Sequence, residues 1–245
     1  MSDWTPLRRE LARWQGNGRT ASLWLRDDDA EAPSPALDSL LAMTAAHGVS
    51  VLVAVIPARA DAALAERLGR EGHVEAAVHG VAHLNHAARG DKRSELGASR
   101  PADDILSELR AARERLARLF PVLSGLLVPP WNRIAPAVAS RIGEAGFAGI
   151  SAFGWKPVAA GVRQLNTHVD LIDWKTQGRW RELDEVIVLL ATALATSREM
   201  HGHAPVGVLS HHLRRTGESD DMLAQLLRGT ARDPGLCWRS ARELL

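Results

Sequence analysis

Short apolar runs alternate with segments of helical periodicity along most of this chain. The apolar runs predict strands buried on both faces at residues 21–26, 51–56, 74–78, 123–128, 147–152, 169–172 and 206–209. Helical spacing and capping residues predict helices at 37–47, 61–68, 101–119, 135–145 and 183–200. Strands and helices that alternate about seven times are typical of an α/β fold with a parallel sheet.

Length and composition favour one domain. The chain has 245 residues, of which 46% are hydrophobic, and this is enough for a single α/β barrel. We predict a helical extension at residues 1–20, followed by one barrel-like domain at 21–245. Residues 87–100 are polar and carry charges of both signs, which predicts a loop. One or two short helices are expected after residue 212.

The charge balance excludes some classes of function. The net charge is +1 and no segment concentrates Lys and Arg, so we expect no nucleic-acid partner. The single cysteine, Cys237, excludes an intramolecular disulfide framework. The first residues carry charges of both signs, and no apolar stretch is long enough to cross a bilayer. We therefore expect a cytoplasmic protein without a membrane partner, and a homo-oligomer is compatible with this picture.

Chemically useful side chains follow five of the predicted strands. They are Asp27-Asp28-Asp29, His79, Pro130-Trp131, Asp173-Trp174 and His211-His212. In a parallel barrel the carboxyl ends of the strands share one rim, and active sites are built at that rim. The placement of these residues therefore predicts a functional site.

His79 and His83 are the leading candidates for metal binding. On one helical turn, side chains four residues apart share a face, so two imidazoles can bind the same ion. Two histidines with this spacing are more often ordinary surface residues, but here the acidic triplet and His211 accompany them. Two imidazoles and one carboxylate form a common catalytic metal set, which leaves a coordination position for water.

Taken in order, these motifs resemble the polysaccharide deacetylase family, carbohydrate esterase family 4. The similar stretches lie between about residues 23 and 213 and comprise the strand that ends in consecutive aspartates, His79 and His83 as His-x-x-x-His, Pro129-Pro130-Trp131, Asp173-Trp174, and Val208-Leu209-Ser210-His211. The resemblance implies a distorted (β/α)7 barrel, and together with the expected cytoplasmic location it predicts a divergent, intracellular member of the family. It also implies a divalent metal and the hydrolytic removal of an acetyl or similar acyl group from an amino sugar.

The resemblance further implies roles for the acidic residues. The second aspartate of the family's pair binds the metal together with His79 and His83, and the first is the general base for the metal-bound water. Because three aspartates are present, two assignments are open. We prefer Asp28 as base and Asp29 as ligand, while Asp27 as base and Asp28 as ligand is the alternative. The remaining aspartate is expected to cap a helix.

By the same resemblance, His211 is the general acid that protonates the departing amine, and His212 is its substitute. Asp173 is expected to orient the His211 imidazole and raise its pKa. Trp131 and Trp174 are expected to wall the substrate pocket. In family members the backbone N–H at the position of Trp131 also helps to bind the oxyanion.

One position departs from the family pattern. The third motif of the family carries an arginine that orients the catalytic aspartate, and Val128 stands at that position. Arg26 or Arg133 could replace it, and we place Arg26 and His212 among the pocket residues. This departure, together with the expected cytoplasmic location, favours a small N-acylated amino sugar or amide over a cell-wall polymer.

The sequence therefore predicts a metal-dependent deacetylase or amidohydrolase with a carbohydrate or small-molecule substrate. We expect one divalent metal, Zn²⁺ first, although Co²⁺, Mn²⁺ or Ni²⁺ would fit the same ligands. A cyclic amide or imide hydrolase of the same superfamily is one alternative. A catalytically inactive barrel that binds a glycan or a partner protein is another.

Overall fold

The computed structural model describes residues 2–245. Its helices are α1 Thr5–Gly16, α2 Pro35–Ala46, α3 Ala62–Gly69, α4 Ala102–Leu119, α5 Pro136–Ala139, α6 Leu183–Met200, α7 Gly217–Thr230 and α8 Ala241–Leu244. Its strands are β1 Ala21–Ala30, β2 Val51–Val55, β3 Val74–His79, β4 Leu123–Val128, β5 Gly149–Ile150, β6 Thr167–Asp170, β7 Ile172–Asp173, β8 Arg179–Trp180, β9 Val206–Ser210 and β10 Leu236–Trp238.

The main sheet has the strand order β5-β4-β3-β2-β1-β9-β6, and β10 pairs with β1. Strand β1 is parallel to β9 and β10, β4 is parallel to β3 and β5, and β6 is parallel to β9. Strands β7 and β8 form a separate antiparallel pair. Parallel strands that alternate with helices confirm the predicted α/β fold of the (β/α)7 type. Among the helices formed by residues 2–245, none has the length and hydropathy needed to span a bilayer.

The contacts of the chain group it into two compact units. The first comprises Met1–Asp27, Pro35–Val51 and Thr167–Leu245. In this unit α1 packs on α6 and buries Leu7, Leu11 and Trp14, while β9 lies between β1 and β6. The first unit therefore contains the N-terminal helix and the strand that ends just before His211.

The second unit comprises Asp28–Ser34 and Leu52–Asn166. Strands β2, β3 and β4 are almost entirely buried in it, which explains their continuous apolar sequences. The amphipathic stripe on α4 is buried as its spacing predicts, and Asp61 caps α3 by accepting a hydrogen bond from the Leu64 N–H at 3.0 Å. The second unit contains His79, His83 and Trp131.

Three predicted elements differ in the structure. The helix predicted at 135–145 is interrupted at Arg141, whose φ of −116° is not helical, so that α5 is followed by a 3-10 turn at Ile142–Ala145. The strand predicted at 147–152 is limited to Gly149–Ile150, and the strand predicted at 169–172 is divided at Leu171 into β6 and β7. Strand β10 was not predicted, since three residues are too few to show a period.

The pairing of β6 with β9 is irregular at His168. The register shifts between Thr167 and Val169, and the Gly207 N–H donates to Nδ1 of His168 at 3.1 Å. The imidazole thus satisfies a backbone donor beside the bulge. Burial, followed by the charge of His201, lowers the pKa of His168 to about 3. His168 must therefore stay neutral to keep this hydrogen bond.

The folded state should lose stability as the pH falls from about 6.5 towards 3, since His168 binds a proton over this range only when the chain is unfolded. The expected loss from this group is up to about 1.4 kcal/mol per pH unit. His168→Asn should make the free energy of unfolding less dependent on pH, because an asparagine side chain keeps an acceptor for the Gly207 N–H and does not titrate. Urea unfolding at several pH values measures the slope. The exposed His86→Asn serves as the control, and equal slopes in all three proteins would contradict this assignment.

Candidate metal centre

The position of His79 is fixed by the parallel pairing of β3 with β4. His79 is the last residue of β3 and lies opposite Val128. Its Nδ1 is 3.0 Å from the Val128 carbonyl oxygen, which can only accept a hydrogen bond, so Nδ1 carries the proton. In the neutral ring Nε2 then presents a lone pair, and it lies 3.1 Å from Oδ1 of Asp29. The fold therefore places the unprotonated ring nitrogen of His79 against the Asp29 carboxylate.

His83 completes a group of three. Its Nε2 lies 3.3 Å from the same Oδ1 of Asp29, and the ligand atoms of the three residues all lie within 4.8 Å of one another. The exposed fractions of the side chains are 2% for His79, 21% for His83 and 31% for Asp29. The group is therefore embedded on the His79 side and open to solvent on the Asp29 side.

These residues fit a divalent cation. Because Nδ1 of His79 carries the proton of the neutral ring, its Nε2 presents a lone pair to the Asp29 oxygen, so a proton or a metal ion is needed between these two atoms. In a tetrahedral zinc site with bonds near 2.0–2.1 Å, ligand atoms lie about 3.3–3.4 Å apart. The separations from Asp29 Oδ1, 3.1 and 3.3 Å, are close to that spacing. The hydrogen bond from His79 to a backbone carbonyl is the support that metal-binding histidines usually have.

The two histidines have opposite pKa shifts. Burial alone would lower the pKa of His79, but its hydrogen bond to Asp29 and the charges of Asp28 and Asp29 outweigh burial and raise the pKa. Burial and then the charge on His79 lower the pKa of His83. Of the two imidazoles, His79 is the one that the carboxylates favour in its protonated form.

The sequence prediction of a helical turn from His79 to His83 is wrong. His79 ends a strand, and the residues after it form a loop in which Gly80 has φ of 60° and His83 has φ of 58°. These left-handed residues bring the two imidazole rings to a centroid distance of 5.2 Å. The spacing indicated the right pair of residues, but a left-handed loop, and not a helical turn, places them together.

Backbone strain is concentrated around this group. Among residues 2–245, six non-glycine residues have positive φ, and three of them are Asp29 at 72°, His83 at 58° and Trp131 at 54°. Each such residue costs about 1–3 kcal/mol, and strain of this kind clusters at functional sites. Asp29 lies in β1, so its positive φ turns the strand just where the carboxylate faces the histidines.

Trp131 and Asp28 lie in the same unit as the metal group. The Trp131 ring lies 4.3 Å from the His83 ring between centroids, and the Asn132 N–H closes the turn on the Pro129 carbonyl. Asp28 is buried, and its charge raises the pKa of His79. Arg133 donates to the carbonyl of Arg93 at 2.8 Å and thereby contacts the loop at 87–100.

Asp27 does not cap a helix, contrary to expectation for the spare aspartate. It is fully buried in β1, opposite Ser210 of β9, and accepts a hydrogen bond from the Ser210 hydroxyl at 2.6 Å. Its other oxygen binds Nδ1 and the backbone N–H of His212. Burial alone would raise the pKa of Asp27, but the charge of His212 and these hydrogen bonds lower it. Asp27 and His212 thus form a buried pair.

The remaining predicted site residues belong to the first unit. His211 is buried, its ring packs edge-on against Trp174 at 5.1 Å, and its Nδ1 has no hydrogen-bond partner among residues 2–245. Trp174 is 48% exposed and donates from Nε1 to Asp170. The Asp173 carboxylate accepts from the Lys175 N–H at 3.0 Å and lies 3.7 Å from the Arg181 guanidinium. Arg26 is fully buried in β1.

Glu95 is a residue that sequence reasoning missed. It lies in the polar loop predicted at 87–100, yet its side chain is buried and accepts hydrogen bonds from the backbone of the loop between His79 and His83. One glutamate among many charged residues carries no periodic signal. Gly80, directly after His79, is the sequence signal for it, because a glycine there leaves room for a neighbouring side chain.

The chain shares its fold with several solved structures. No family model and no curated protein matches it. A solved structure assigned as a polysaccharide deacetylase from Mycobacterium smegmatis aligns with a TM-score of 0.69 and 17% identity, covering 93% of this chain and 89% of that protein. A family 4 acetyl xylan esterase from Clostridium thermocellum, in complex with a cobalt ion, aligns with a TM-score of 0.58 and 14% identity, covering 91% and 89%.

A third similar structure is a carbohydrate esterase family 4 pseudoenzyme from Bacillus anthracis. It aligns with a TM-score of 0.62 and 16% identity, covering 92% of this chain and 65% of that protein. These likenesses confirm the fold that the motifs implied. The fold is shared by structures described as a deacetylase, an esterase and a pseudoenzyme, so function has to be argued from the residues of this chain.

Replacing Asp27 by Asn should destabilise the fold by about 3 kcal/mol, because it leaves His212 buried without its anionic partner. The pKa of Asp27 is lowered in the folded state. The variant should therefore differ most from wild type in free energy of unfolding above about pH 4, and this difference should decrease as the pH falls below 4. Urea unfolding measures both effects. Asp29→Asn, at a partly exposed carboxylate, is the control, and equal small losses in both variants would contradict this assignment.

Proposed function

We propose that this protein is a metal-dependent hydrolase that removes an acetyl or similar acyl group from an N-acylated amino sugar or small amide. The observation that carries the proposal is the arrangement of Asp29, His79 and His83, in which one carboxylate oxygen faces two imidazole nitrogens. The fold is shared with structures described as a polysaccharide deacetylase and an acetyl xylan esterase, which supports a carbohydrate substrate.

Asp29, His79 and His83 would hold the metal, and Zn²⁺ suits this donor set best. When bound, a divalent cation would polarise the acyl carbonyl and make water a better nucleophile near neutral pH. We assign Asp28 as the general base that takes a proton from the attacking water. Its burial beside the group keeps competing solvent away from the carboxylate.

Hydrolysis also requires a proton for the leaving group. As water adds to the acyl carbon and the carbon–nitrogen bond breaks, the departing amine must be protonated, and we assign this proton to His211. The buried Nδ1 of His211 without a partner among residues 2–245 supports a chemical role, since buried polar groups are otherwise satisfied. His212 is already paired with Asp27, so we assign it to support rather than to proton transfer. The role of Asp173 in orienting His211 stays a proposal.

Trp131 and Trp174 are the proposed aromatic contacts for substrate. Trp174 exposes almost half of its side chain, and an exposed indole is suited to stack on a sugar face. The backbone N–H of Trp131 is the proposed oxyanion donor, and its strained φ supports a functional turn. Arg26 is fully buried, so any role in the pocket would be exerted through its neighbours.

Asp28→Asn should retain zinc but lower kcat by about 10²–10⁴-fold, because asparagine cannot accept the proton of the attacking water. The assay would load each protein with Zn²⁺ and follow release of acetate from N-acetylglucosamine oligomers and small N-acetyl amides. Asp91→Asn, at an exposed aspartate, is the matched control. Full activity in Asp28→Asn would remove this residue from the mechanism.

A non-catalytic binding protein is the second candidate. It is favoured by Val128, whose buried side chain stands where the resemblance implies an arginine, and by the pseudoenzyme among the similar structures. The same assay separates the candidates. Acetate release that chelation abolishes and Zn²⁺ restores supports the proposed function, whereas chelation-resistant ring opening of cyclic amides, tested alongside, indicates metal-free cyclic amide hydrolysis. Zinc binding without turnover of any substrate would support the binding protein.

A further inference from the structure

A buried carboxylate lies beneath the loop that carries His83. Glu95 is 1% exposed, and its Oε2 accepts a hydrogen bond from the Val81 N–H at 2.9 Å. Its Oε1 accepts from the Ala82 N–H at 2.8 Å and from the Leu84 N–H at 3.2 Å. Burial of a carboxylate is costly unless such donors replace its water. Glu95 therefore occupies a site built from backbone donors.

Gly80 makes room for this carboxylate. A Cβ atom at residue 80 would lie 2.0 Å from Oε2 of Glu95 and 2.5 Å from Cγ of Pro130. Its φ of 60° is also a conformation that glycine adopts without cost. The loop after His79 thus wraps around the Glu95 side chain, and no other residue fits at position 80 without displacing it.

The donors lie on both sides of His83. The Ala82 and Leu84 N–H groups, which precede and follow His83, point to the same oxygen of Glu95. His83 itself has the strained φ of 58°, which the chain would leave if nothing held it. A single acceptor that binds the amides before and after His83 holds this conformation. The imidazole then faces Oδ1 of Asp29 at 3.3 Å.

We propose that Glu95 is a positioning residue for the metal centre, which holds the 80–84 loop so that His83 is in place before the metal binds. This inference rests on the metal centre of the proposed function. Preorganisation of this kind lowers the entropy cost of binding, and loss of supporting hydrogen bonds around metal ligands typically weakens metal affinity by about 10–100-fold.

The test is zinc affinity, measured by competition with a chromophoric chelator. Glu95→Gln keeps one acceptor oxygen and places an NH₂ group against a backbone donor, so it should weaken zinc binding by about 10-fold or more. Glu95→Ala removes every acceptor and should weaken binding further. The matched control is Glu10→Gln, at a buried carboxylate that binds Arg198, which should bind zinc like wild type.

A spectroscopic readout separates positioning from general destabilisation. Loaded with Co²⁺, the Glu95 variants should show weaker visible d–d absorption, because partial loss of His83 replaces a nitrogen ligand with water. Gly80→Ala should behave similarly, since its Cβ displaces the carboxylate, and it provides a second route if Glu95→Ala fails to fold. Zinc affinity and Co²⁺ spectra unchanged in Glu95→Gln would overturn this inference, whereas absence of zinc binding in wild type would overturn the proposed metal centre itself.

Discussion

The candidate site depends on one carboxylate oxygen. Oδ1 of Asp29 lies 3.1 Å from Nε2 of His79 and 3.3 Å from Nε2 of His83. When His79 is neutral, its Nε2 lone pair faces this anionic oxygen, so a proton or a metal ion is needed between the two atoms. The carbonyl of Val128 determines which nitrogen of His79 is presented, so the parallel pairing of β3 with β4 contributes directly to the chemistry.

The surrounding backbone accepts strain to maintain this arrangement. Left-handed residues at Asp29, His83 and Trp131 cost about 1–3 kcal/mol each, which is a large amount beside a typical folding free energy of about 5–15 kcal/mol. Local hydrogen bonds offset part of this cost, above all the three that Glu95 accepts from the loop around His83. Backbone strain of this kind is expected where the protein holds its metal-binding side chains in position before the metal binds.

Hydrophobic periodicity and residue spacing predicted those helices, strands and residue pairs that are determined within a short stretch of sequence. Helix α6, Leu183–Met200, has its predicted bounds, and its buried residues follow one another at intervals of one or three positions. The His79–His83 pair was indicated by spacing, although the left-handed loop between them was not. Contacts distant in sequence were beyond such patterns. Nothing near Asp27 or Glu95 in the sequence indicates that one pairs with His212 and the other supports the His83 loop.

Zinc stoichiometry tests the central claim most directly. Wild type, Asp29→Ala and His83→Ala would be stripped with a chelator, dialysed against Zn²⁺ and measured by elemental analysis. We expect about one zinc per wild-type chain and almost none in either variant, since each removes one of three protein ligands. Absence of zinc from wild type, or equal zinc in all three proteins, would contradict the assignment of Asp29, His79 and His83 as a metal centre.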